Sequence, residues 1–392
     1  MSESEINQLQ VFKQGAVMNI SVGPQQADIC GVTGVAIQAA LDRVSAMGGG
    51  EVAVAPGEYL LQDAVHIPTG TTLRGAGAET VLRKADGWEA PLWEDCDWGD
   101  CWIGCDPLPP VQVGQGVTIW SDNVFGFLTT VGTVLEIDGN RFRVSKHFNM
   151  DTMVCANARV ANVFPLISVE QSTDIAIRDL VLDGNAAHNP RLNGCRGAGV
   201  FGLFSARVQV SNVTVRQFNG DAISFQQSHD WLVEDCLLED NTGGGMHPGS
   251  GSQRPIIRRC TARRNGGAGL FVCWRVKHGR FEENRLEDNG SDGISVGHKD
   301  SDNLFRENQI LRNGGVGIQI REETFPMAPH RCRFEGNTLS GNNHGGPQVM
   351  LHGDVHDLAF LGNHYDEGAT RFATDPRVIN ALLDEEFPPV RA

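Results

Sequence analysis

DWLVEDCLLEDNTGGGMHPGSGSQ (230–253) is the first of four successive units of one design, and these units decide the fold. The others are RPIIRRCTARRNGGAGLFVCWRVK (254–277), HGRFEENRLEDNGSDGISVGHKDS (278–301) and DNLFRENQILRNGGVGIQIREE (302–323). Asparagines recur at a spacing of 24 residues, each followed four residues later by a glycine: Asn241 and Gly245, Asn265 and Gly269, Asn289 and Gly293, Asn313 and Gly317. A fixed period of this size indicates units that pack on their neighbours.

Each unit holds two or three short apolar runs separated by Asn-Gly turns. It is too short for a strand-helix-strand unit and has no helical period. The repeat therefore predicts an all-β chain, a right-handed, single-stranded parallel β-helix in which one unit is one coil. We expect the asparagines to adopt the left-handed conformation at a tight turn and to bond their counterparts in adjacent coils. The glycines are expected to supply the positive φ that follows.

Alignment of the units separates inward rows from outward rows. One inward row is Cys236, Cys260, Asn284 and Asn308, and another is Leu238, Ala262, Leu286 and Ile310. In the outward rows acidic pairs alternate with arginine pairs: Glu234 and Asp235 precede Arg258 and Arg259, which precede Glu282 and Glu283. Coils about 4.8 Å apart would allow cross-coil ion pairs worth roughly 0.2 to 1 kcal/mol each. The arginine-rich stretch 254–265 is thus interpreted as a charge ladder, ahead of a nucleic-acid site.

The bulk composition excludes few functions but shifts the balance among them. The formal net charge of −16 disfavours nucleic acid as a partner and slightly disfavours a polyanionic substrate. The first fifteen residues contain neither a basic n-region nor an apolar run, so no membrane span is expected and the cytoplasm is the default location. A protein whose signal peptide had been removed would be secreted or periplasmic. The ten cysteines are expected to be reduced, and the spacing of Cys96, Cys101 and Cys105 matches no zinc pattern.

The N-terminal third has a signature of its own, GVAIQAALDRVSAMGGGEVAVAPGEYLLQDAVHIPTGTTLRGAG (34–77). It joins an amphipathic helix, a glycine break, a strand, a Pro-Gly-Glu-Tyr turn and a strand ending in Leu-Arg-Gly. This stretch resembles the opening of pectate-lyase-superfamily β-helix proteins, in which a helix caps the first coil. The resemblance covers residues 31–78 and, more loosely, 170–365. It implies the fold and a carbohydrate ligand but no single reaction, because that superfamily includes lyases, hydrolases, epimerases, transferases and phage tailspikes.

These patterns divide the chain into five parts. We expect an N-terminal segment (1–30), a cap helix with the first coils (31–87), an inserted Cys/Trp-rich β subdomain (88–165), the main coils (166–367) and a C-terminal tail or cap (368–392). The insertion carries Trp93, Trp98 and Trp102, which could either contact sugar rings or fill the core of a loop.

In the strand after each Asn-Gly turn, the outward rows no longer consist of alternating acidic and arginine pairs. One outward column is Ser224, His247, Phe271, Ser295 and Gln319, and the next is Gln226, Gly249, Cys273, Gly297 and Arg321. The strand ends add Gln227, Trp274, His298 and Glu322, followed by Arg275, Lys299 and Glu323. The candidate site is the cluster of titratable and aromatic residues that replaces the charge ladder here: Trp274, Arg275, His298, Lys299, Asp300, Arg321 and Glu322. For each residue alone, an ordinary surface role is the alternative.

Two reaction classes fit this cluster. Elimination or C5 epimerisation of a uronate needs a cation for the carboxylate, a base for the C5 proton and, for elimination, an acid for the leaving oxygen. His247 or His298 could be the base, and Arg275, Lys299 or Arg321 the cation. Trp274, Arg275, Gln226 and Gln319 are the expected substrate-binding residues. The related lyases often use Ca²⁺, but the sequence shows no clear acidic ligand set, so no cofactor is assigned.

Hydrolysis is the alternative chemistry, since it requires a pair of carboxylates roughly 5 to 9.5 Å apart. Asp221 and Asp292 begin equivalent strands, and Glu322 and Glu323 end another. The segment DGISVGH (292–298) faintly resembles a strand of polygalacturonase-like hydrolases, but the hallmark Asn-Thr-Asp and Asp-Asp pairs are missing. A third class is a non-catalytic glycan-binding or spike-like protein. The preferred prediction is a lyase or epimerase acting on a uronate-containing poly- or oligosaccharide, with a homo-oligomeric state left open.

Overall fold

The structure of the protein, a computed structural model, describes residues 18–384. Residues 1–17 of the predicted N-terminal segment and 385–392 of the predicted tail lie outside the described residues. The described chain winds into a stack of parallel strands that form a 20-stranded and a ten-stranded sheet, and a separate six-stranded sheet lies in the insertion. The predicted right-handed parallel β-helix is confirmed.

One helix closes the N-terminal end of the stack. Helix α1 (Gly34–Ala46) buries Ile37, Ala40, Leu41 and Val44 against the first coils and ends where Gly48 and Gly49 adopt positive φ. The first coils contain a 3-10 turn at Gly77–Glu79 and these strands: β1 (Met18–Gly23), β2 (Ile29–Cys30), β3 (Gly50–Val54), β4 (Gly57–Leu61), β5 (Val65–His66), β6 (Thr71–Arg74) and β7 (Thr80–Lys84).

Between the first coils and the main stack lies an insertion with a separate antiparallel sheet. Its strands are β8 (Glu89–Pro91), β9 (Trp102–Gly104), β10 (Gly116–Trp120), β11 (Thr130–Asp138), β12 (Arg141–Val144) and β13 (Arg159–Ala161) in the order β8-β13-β10-β11-β12-β9, with 3-10 turns at Gly126–Leu128 and Val154–Ala156. Cys96 and Cys105 are buried in its own apolar core, and all ten cysteines are free thiols. Trp98 is 74% exposed, so it does not fill that core.

The main stack continues from β14 to β36. Its 3-10 turns are Ala186–His188 and Asn343–Gly345, and its strands are β14 (Ile167–Glu170), β15 (Thr173–Asp183), β16 (Val200–Leu203), β17 (Ala206–Arg216), β18 (Ile223–Gln226), β19 (His229–Glu234), β20 (Leu237–Glu239), β21 (Met246–Gly249), β22 (Ile256–Arg258), β23 (Thr261–Arg263), β24 (Leu270–Val272), β25 (Arg280–Glu282), β26 (Arg285–Glu287), β27 (Ile294–Val296), β28 (Leu304–Arg306), β29 (Gln309–Leu311), β30 (Ile318–Ile320), β31 (Arg333–Glu335), β32 (Thr338–Ser340), β33 (Val349–Leu351), β34 (Ala359–Leu361), β35 (His364–Tyr365) and β36 (Phe372–Thr374).

Each coil contributes strands to three faces. The first face contains β19, β22, β25 and their successors, and the second contains β20, β23, β26 and theirs. The third face is the parallel sheet β5-β14-β16-β18-β21-β24-β27-β30-β33-β36. The three faces enclose one apolar core that includes a stack of phenylalanine rings: Phe281, Phe305, Phe334 and Phe360, with neighbouring centroids 4.5 to 4.9 Å apart.

Two asparagine ladders run along the stack. In the first, each Nδ2 donates to Oδ1 of the next asparagine at 2.9 to 3.0 Å, from Asn241 through Asn265, Asn289 and Asn313 to Asn342. In the second, Asn284 takes over from the stacked Cys260 and Cys236, and the ladder runs through Asn308 and Asn337 to Asn363. Asp384 accepts the last hydrogen bond from Asn363, so the described C-terminal residues close this ladder.

The expected backbone roles of the repeated asparagines and glycines were wrong. The left-handed conformation belongs to the residue before each asparagine, with φ of 51° to 56° at Asp240, Arg264, Asp288 and Arg312. The asparagine itself has to direct its amide inward to reach the next coil. The glycines have no positive φ; a Cβ atom at Gly269 would lie 2.9 Å from Gly293 O and 3.0 Å from Leu286 Cβ. Close packing between coils, not turn conformation, therefore requires glycine there.

The charge ladder occupies the outer surface, as predicted. Arg259 contacts Asp235 at 2.8 Å and Glu234 at 2.9 Å, and Arg264 contacts Asp240 and Glu239 at 2.8 Å. These pairs are partly exposed, so each contributes little to stability, typically about 0 to 1 kcal/mol. Their arginines are occupied by acids of the preceding coil and are not presented as a polyanion site.

We expect Asn289→Ala to destabilise the protein by roughly 2 to 4 kcal/mol, because it leaves several buried donors and acceptors without partners. Asn289 donates to Ala262 O and Asn313 Oδ1 and accepts two hydrogen bonds from Asn265. Denaturant unfolding measures the change. Asn140→Ala, at an exposed turn, is the matched control and should change the free energy of unfolding by less than about 0.5 kcal/mol. Equal effects of the two substitutions would contradict this role of the ladder.

Candidate active site

The register of the third face aligns the predicted outward columns. Ser224 pairs with His247, Phe271 with Ser295, and Ser295 with Gln319. The same row extends to Met350 and Ala373 in one direction, and to Phe201, Ser168 and His66 in the other. The side chains of this row face away from the core, so they form one line along the stack.

Part of that line is covered by the segment 191–197. Ser224 Oγ donates to Gly194 O at 2.5 Å, and Gln226 Nε2 donates to Ser224 Oγ at 2.8 Å. Both side chains are fully buried. Gln226, predicted to bind substrate, therefore lies beneath this segment and not on the open surface.

The first histidine of the site is paired with a carboxylate from the preceding coil. His247 Nδ1 lies 2.8 Å from Asp221 Oδ2, and Gly244 N donates to Asp221 Oδ1 at 2.7 Å. Burial acts to raise the pKa of Asp221, but His247, the Gly244 amide and the charge of Arg191 outweigh it and hold that pKa below its usual value. An ionised Asp221 places the proton of a neutral His247 on Nδ1. No group within residues 18–384 bonds Nε2, which is left as a proton acceptor.

A second carboxylate-histidine pair lies just beyond the ends of strands β27 and β30. His298 Nδ1 is 2.6 Å from Glu323 Oε1, and its ring stacks on Trp274 with centroids 4.4 Å apart and planes 6° from parallel. Among the described residues nothing bonds His298 Nε2. The side chain of His298 is 24% exposed, and Trp274 is 42% exposed, so both can be reached from solvent.

The structure brings Glu323, and not the predicted Glu322, into contact with His298. Glu322, predicted as catalytic, turns away and contacts Arg377 at 2.7 Å. Glu323 instead reaches His298. Strand β30 ends at Ile320, and alternation of sides along a strand gives no information beyond the last paired residue. The signal that favours Glu323 is its position one coil beyond Lys299, beside the turn that carries His298.

Arg321 lies between the two carboxylate-histidine pairs. Its Nη1 donates to Ser295 Oγ at 2.9 Å and its Nη2 to Val272 O at 2.8 Å, while the guanidinium sits 4.5 Å from the Phe271 ring centroid. Phe271 in turn makes an edge contact with His247, at 5.0 Å between centroids. A Cβ atom at Gly297 would come within 2.6 Å of Arg321 Nε, so the glycine provides the space for this side chain. Nη2 also lies 3.6 Å from the buried Asp300 Oδ2. The guanidinium protons that these contacts do not use are available to a bound anion.

Asp300 fixes the two turns that contain Trp274 and His298. It is fully buried; Oδ1 accepts the Val276 amide at 2.8 Å and Oδ2 the Gly297 amide at 3.1 Å. The two turns contain consecutive left-handed residues, Trp274 and Arg275 with φ of 70°, and His298 and Lys299 with φ of 46° and 68°. Such conformations cost energy for residues other than glycine and persist where surrounding contacts enforce them. Asp300 is thus a positioning residue that cannot touch a substrate.

The other predicted residues lie around this centre. Arg275 is exposed, with its guanidinium 5.9 Å from the Trp274 ring centroid, and the ammonium of Lys299 has no partner within the described chain. Gln319 Nε2 donates to Ile320 O. Asp292 lies at a coil turn, where its Oδ1 accepts the Val316 amide at 3.1 Å and burial raises its pKa. The structure brings together Phe271, Trp274, His298, Arg321 and Glu323, with His247 and Asp221 beside them.

Three carboxylates near the candidate site are paired with basic side chains. Within residues 18–384 no group of three or more His, Cys, Asp or Glu side chains is arranged to hold a metal. Asp221 and Glu323 are paired with histidines and Glu322 with an arginine. Cys96, Cys101 and Cys105 likewise form no ligand group. Separately, none of the helices in the described range has the length and apolar character needed to cross a bilayer.

We expect stability to fall with rising pH through the titration of Asp300. Burial raises its pKa to about 7 from 3.8, despite the Val276 amide and the charge of Arg321. Between these values the folded protein keeps a proton that the unfolded chain has lost, so raising the pH favours unfolding by up to about 4 kcal/mol over that range. Asp300→Asn should flatten this dependence in denaturant unfolding at several pH values. Asp138→Asn, at an exposed position, should keep the parental slope; a parental slope in Asp300→Asn would contradict the assignment.

Solved structures of other proteins share this fold. No curated protein matches this sequence. Three solved structures share the fold: the A-module of a mannuronan C-5 epimerase from Azotobacter vinelandii, an alginate lyase from Paenibacillus sp. and an exopolygalacturonase from Thermotoga maritima. Their identities are 15%, 14% and 11%, and their TM-scores 0.50, 0.55 and 0.56. The alignments cover 89%, 92% and 96% of this chain and 91%, 98% and 96% of theirs. At these identities the likeness shows the fold alone.

A family model describes more than half of the chain. The model for the right-handed β-helix region matches residues 156–273 and 198–364, which together span the coils that carry both carboxylate-histidine pairs and Arg321. The chain belongs to the right-handed β-helix family.

Proposed function

We propose that this protein is an enzyme that removes the C5 proton of a uronate residue in a glycan, leading to β-elimination or to C5 epimerisation. The observation that carries the proposal is the position of Arg321 between two carboxylate-histidine pairs on an outer face of the stack. The C5 proton lies next to a carboxylate, and it becomes acidic only when the charge that develops on that carboxylate is stabilised. A fixed cation beside a base with a free lone pair meets that requirement.

Arg321 is the group that would bind the uronate carboxylate. Two of its N–H groups are fixed by Ser295 Oγ and Val272 O, and Phe271 supports the guanidinium plane. The remaining N–H groups can donate to both oxygens of one carboxylate. Because the side chain is already held in place, little conformational entropy is lost when the substrate binds.

His298 is the proposed base. Its Nε2 has no protein partner, and Glu323 on Nδ1 favours the tautomer with a free Nε2 lone pair and stabilises the imidazolium that forms when the proton arrives. The exposed ring of Trp274, which stacks in parallel on His298, offers an apolar surface on which a sugar ring can stack. Arg275 and Lys299 at the rim supply further positive charge, which offsets the net charge of −16 locally.

His247 is the proposed second proton-transfer group. It stands on the far side of Phe271 from Arg321 and also has a free Nε2. In elimination it would protonate the leaving oxygen, and in epimerisation it would return a proton to C5 from the opposite side of the ring. The epimerase and the alginate lyase that share the fold bear the names of these two reactions, so the proposal is compatible with the architecture.

Hydrolysis is supported less well by the arrangement of carboxylates. A hydrolase needs one protonated carboxyl group and one free carboxylate facing the same sugar. Asp221, Glu322 and Glu323 are each in contact with a basic side chain, and Asp300 is fully buried. A binding protein without activity would not need two oriented histidines. The cytoplasmic location, the glycan partner and a homo-oligomeric state stay predictions.

The test is turnover on a panel of acidic and neutral polysaccharides, with and without added Ca²⁺ and with a chelator. Unsaturated products, detected by the ultraviolet absorbance of the new C4=C5 bond, support elimination; exchange of the C5 proton with deuterated solvent, without chain cleavage, supports epimerisation. We expect one of these signals on a uronate-containing glycan, with or without Ca²⁺. New reducing ends without unsaturation would contradict the proposal in favour of hydrolysis, and silence in all assays would contradict it in favour of binding.

The second test uses substitutions at the proposed centre. His298→Ala and Arg321→Ala should abolish turnover without unfolding the protein, a loss of at least about 100-fold for the base. Glu323→Gln should lower turnover substantially, because it removes the charge that stabilises the imidazolium, whereas the neighbouring Glu322→Gln should not. His364→Ala and Arg333→Ala, exposed residues on the other faces, are the controls for surface substitution. Full activity in both His298→Ala and Arg321→Ala would overturn the site.

A further inference from the structure

The third face changes abruptly from covered to open along its outward row. Ser168, Phe201 and Ser224 are at most 2% exposed although their side chains point away from the core. His247, in the next coil, is 6% exposed. Beyond His247, Phe271, Gln319, Met350 and Ala373 are partly exposed. Ser295, between Phe271 and Gln319, is buried beneath Arg321, which donates to its hydroxyl. The candidate site is therefore at the end of an open strip and not in the middle of one.

The segment 191–197 forms the boundary of this strip. Gly194 O accepts the hydrogen bond from Ser224, and a Cβ atom at Gly194 would overlap with the carboxylate of Asp221. The backbone of this segment thus lies directly on the first carboxylate-histidine pair. We call residues 191–197 the wall.

The wall is fastened on its other side to the insertion. Arg196 Nε and Nη2 both donate to Phe127 O, at 2.8 and 2.6 Å, and the guanidinium lies 5.8 Å from the Phe127 ring centroid. Within the segment, Asn193 Oδ1 accepts the Cys195 amide, and Leu192 N donates to Asn219 O. A segment held from the coil side and from the insertion side is a fixed obstacle.

On the side of the candidate site that faces away from the wall, the open strip continues along the stack. The row runs from Phe271 through Ser295, Gln319 and Met350 to Ala373, five coils that span about 19 Å at about 4.8 Å per coil. That length accommodates several sugar residues on one side of the site, whereas the wall leaves no comparable length on the other.

We propose that the enzyme acts at the end of a glycan chain: the terminal residues lie over Trp274, His298 and Arg321 against the wall, and the remaining chain extends toward Ala373. This inference rests on the proposed function. The inference also extends that function, because a glycan that continued from the site in both directions along the stack would have to penetrate the segment 191–197. The wall then determines that substrates are consumed from one end.

The experiment compares uronate polymers of one composition and different lengths at equal mass. End-directed action predicts an initial rate that rises in proportion to the number of chain ends, small products from the first minutes and a slow decrease in polymer size; oligosaccharides labelled at one end identify which end is used. Rates independent of chain length, with rapid fragmentation into mid-sized products, would overturn the inference while leaving the proposed function intact. Absence of turnover on every glycan would instead refute the proposed function itself.

Arg196→Ala tests the wall directly, because it removes both hydrogen bonds to Phe127 O. We expect a severalfold larger share of internal cleavage products, with the thermal unfolding temperature recorded to verify folding. Arg143→Ala, at a partly exposed insertion residue paired with Glu136, is the matched control and should keep the parental product pattern. If Arg196→Ala does not fold, Arg196→Gln retains one donor for Phe127 O and takes its place. A folded Arg196 variant with the parental product pattern would overturn the role of the wall.

Discussion

The stacking of one coil on the next is the constraint on which the rest of the structure depends. Every backbone amide at a coil corner needs a partner, and the corner is too tight for a strand ladder to supply one. The asparagine side chains provide it: each Oδ1 accepts both the backbone amide and the side-chain amide of the asparagine in the preceding coil, as between Asn265 and Asn289. Because the hydrogen bonds tolerate one spacing only, the ladder fixes the register of all three faces.

The site follows from that register. Rows of the first and second faces are filled by arginine and acid pairs that neutralise one another across coils. On the third face the same geometry pairs two histidines with carboxylates from adjacent coils and holds Arg321 against Ser295, Val272 O and the buried Asp300. The fixed coil spacing provides the rigidity that the proposed proton transfer requires, and Asp300 extends this rigidity to the turns beyond the strands.

Interruptions of the repeat set the limits of the open part of the third face. A regular stack presents a uniform, open strip, which by itself cannot distinguish the end of a polymer from its middle. The insertion between β7 and β14 and the wall at 191–197 lie beside the coils whose outward residues, from Ser168 to His247, are buried, whereas Phe271, Gln319, Met350 and Ala373 beyond them are partly exposed. Their contact through Arg196 and Phe127 couples the two irregular parts of the chain at the edge of the site.

The sequence alone was sufficient to predict the coil, the ladders, the charge rows and the outward columns. Each of these depends on residues that recur at a fixed interval, and a periodic pattern is visible without tertiary information. It placed Trp274, His298 and Arg321 in one cluster for the same reason. Tertiary structure alone decided that Glu323, not Glu322, reaches His298, since strand alternation ends at Ile320. It also decided that Gln226 is covered, that Asp221 and His247 form a pair, and that Asp300 is buried. These outcomes depend on how turns bend and on which distant segment packs over a strand, and no periodic pattern encodes either.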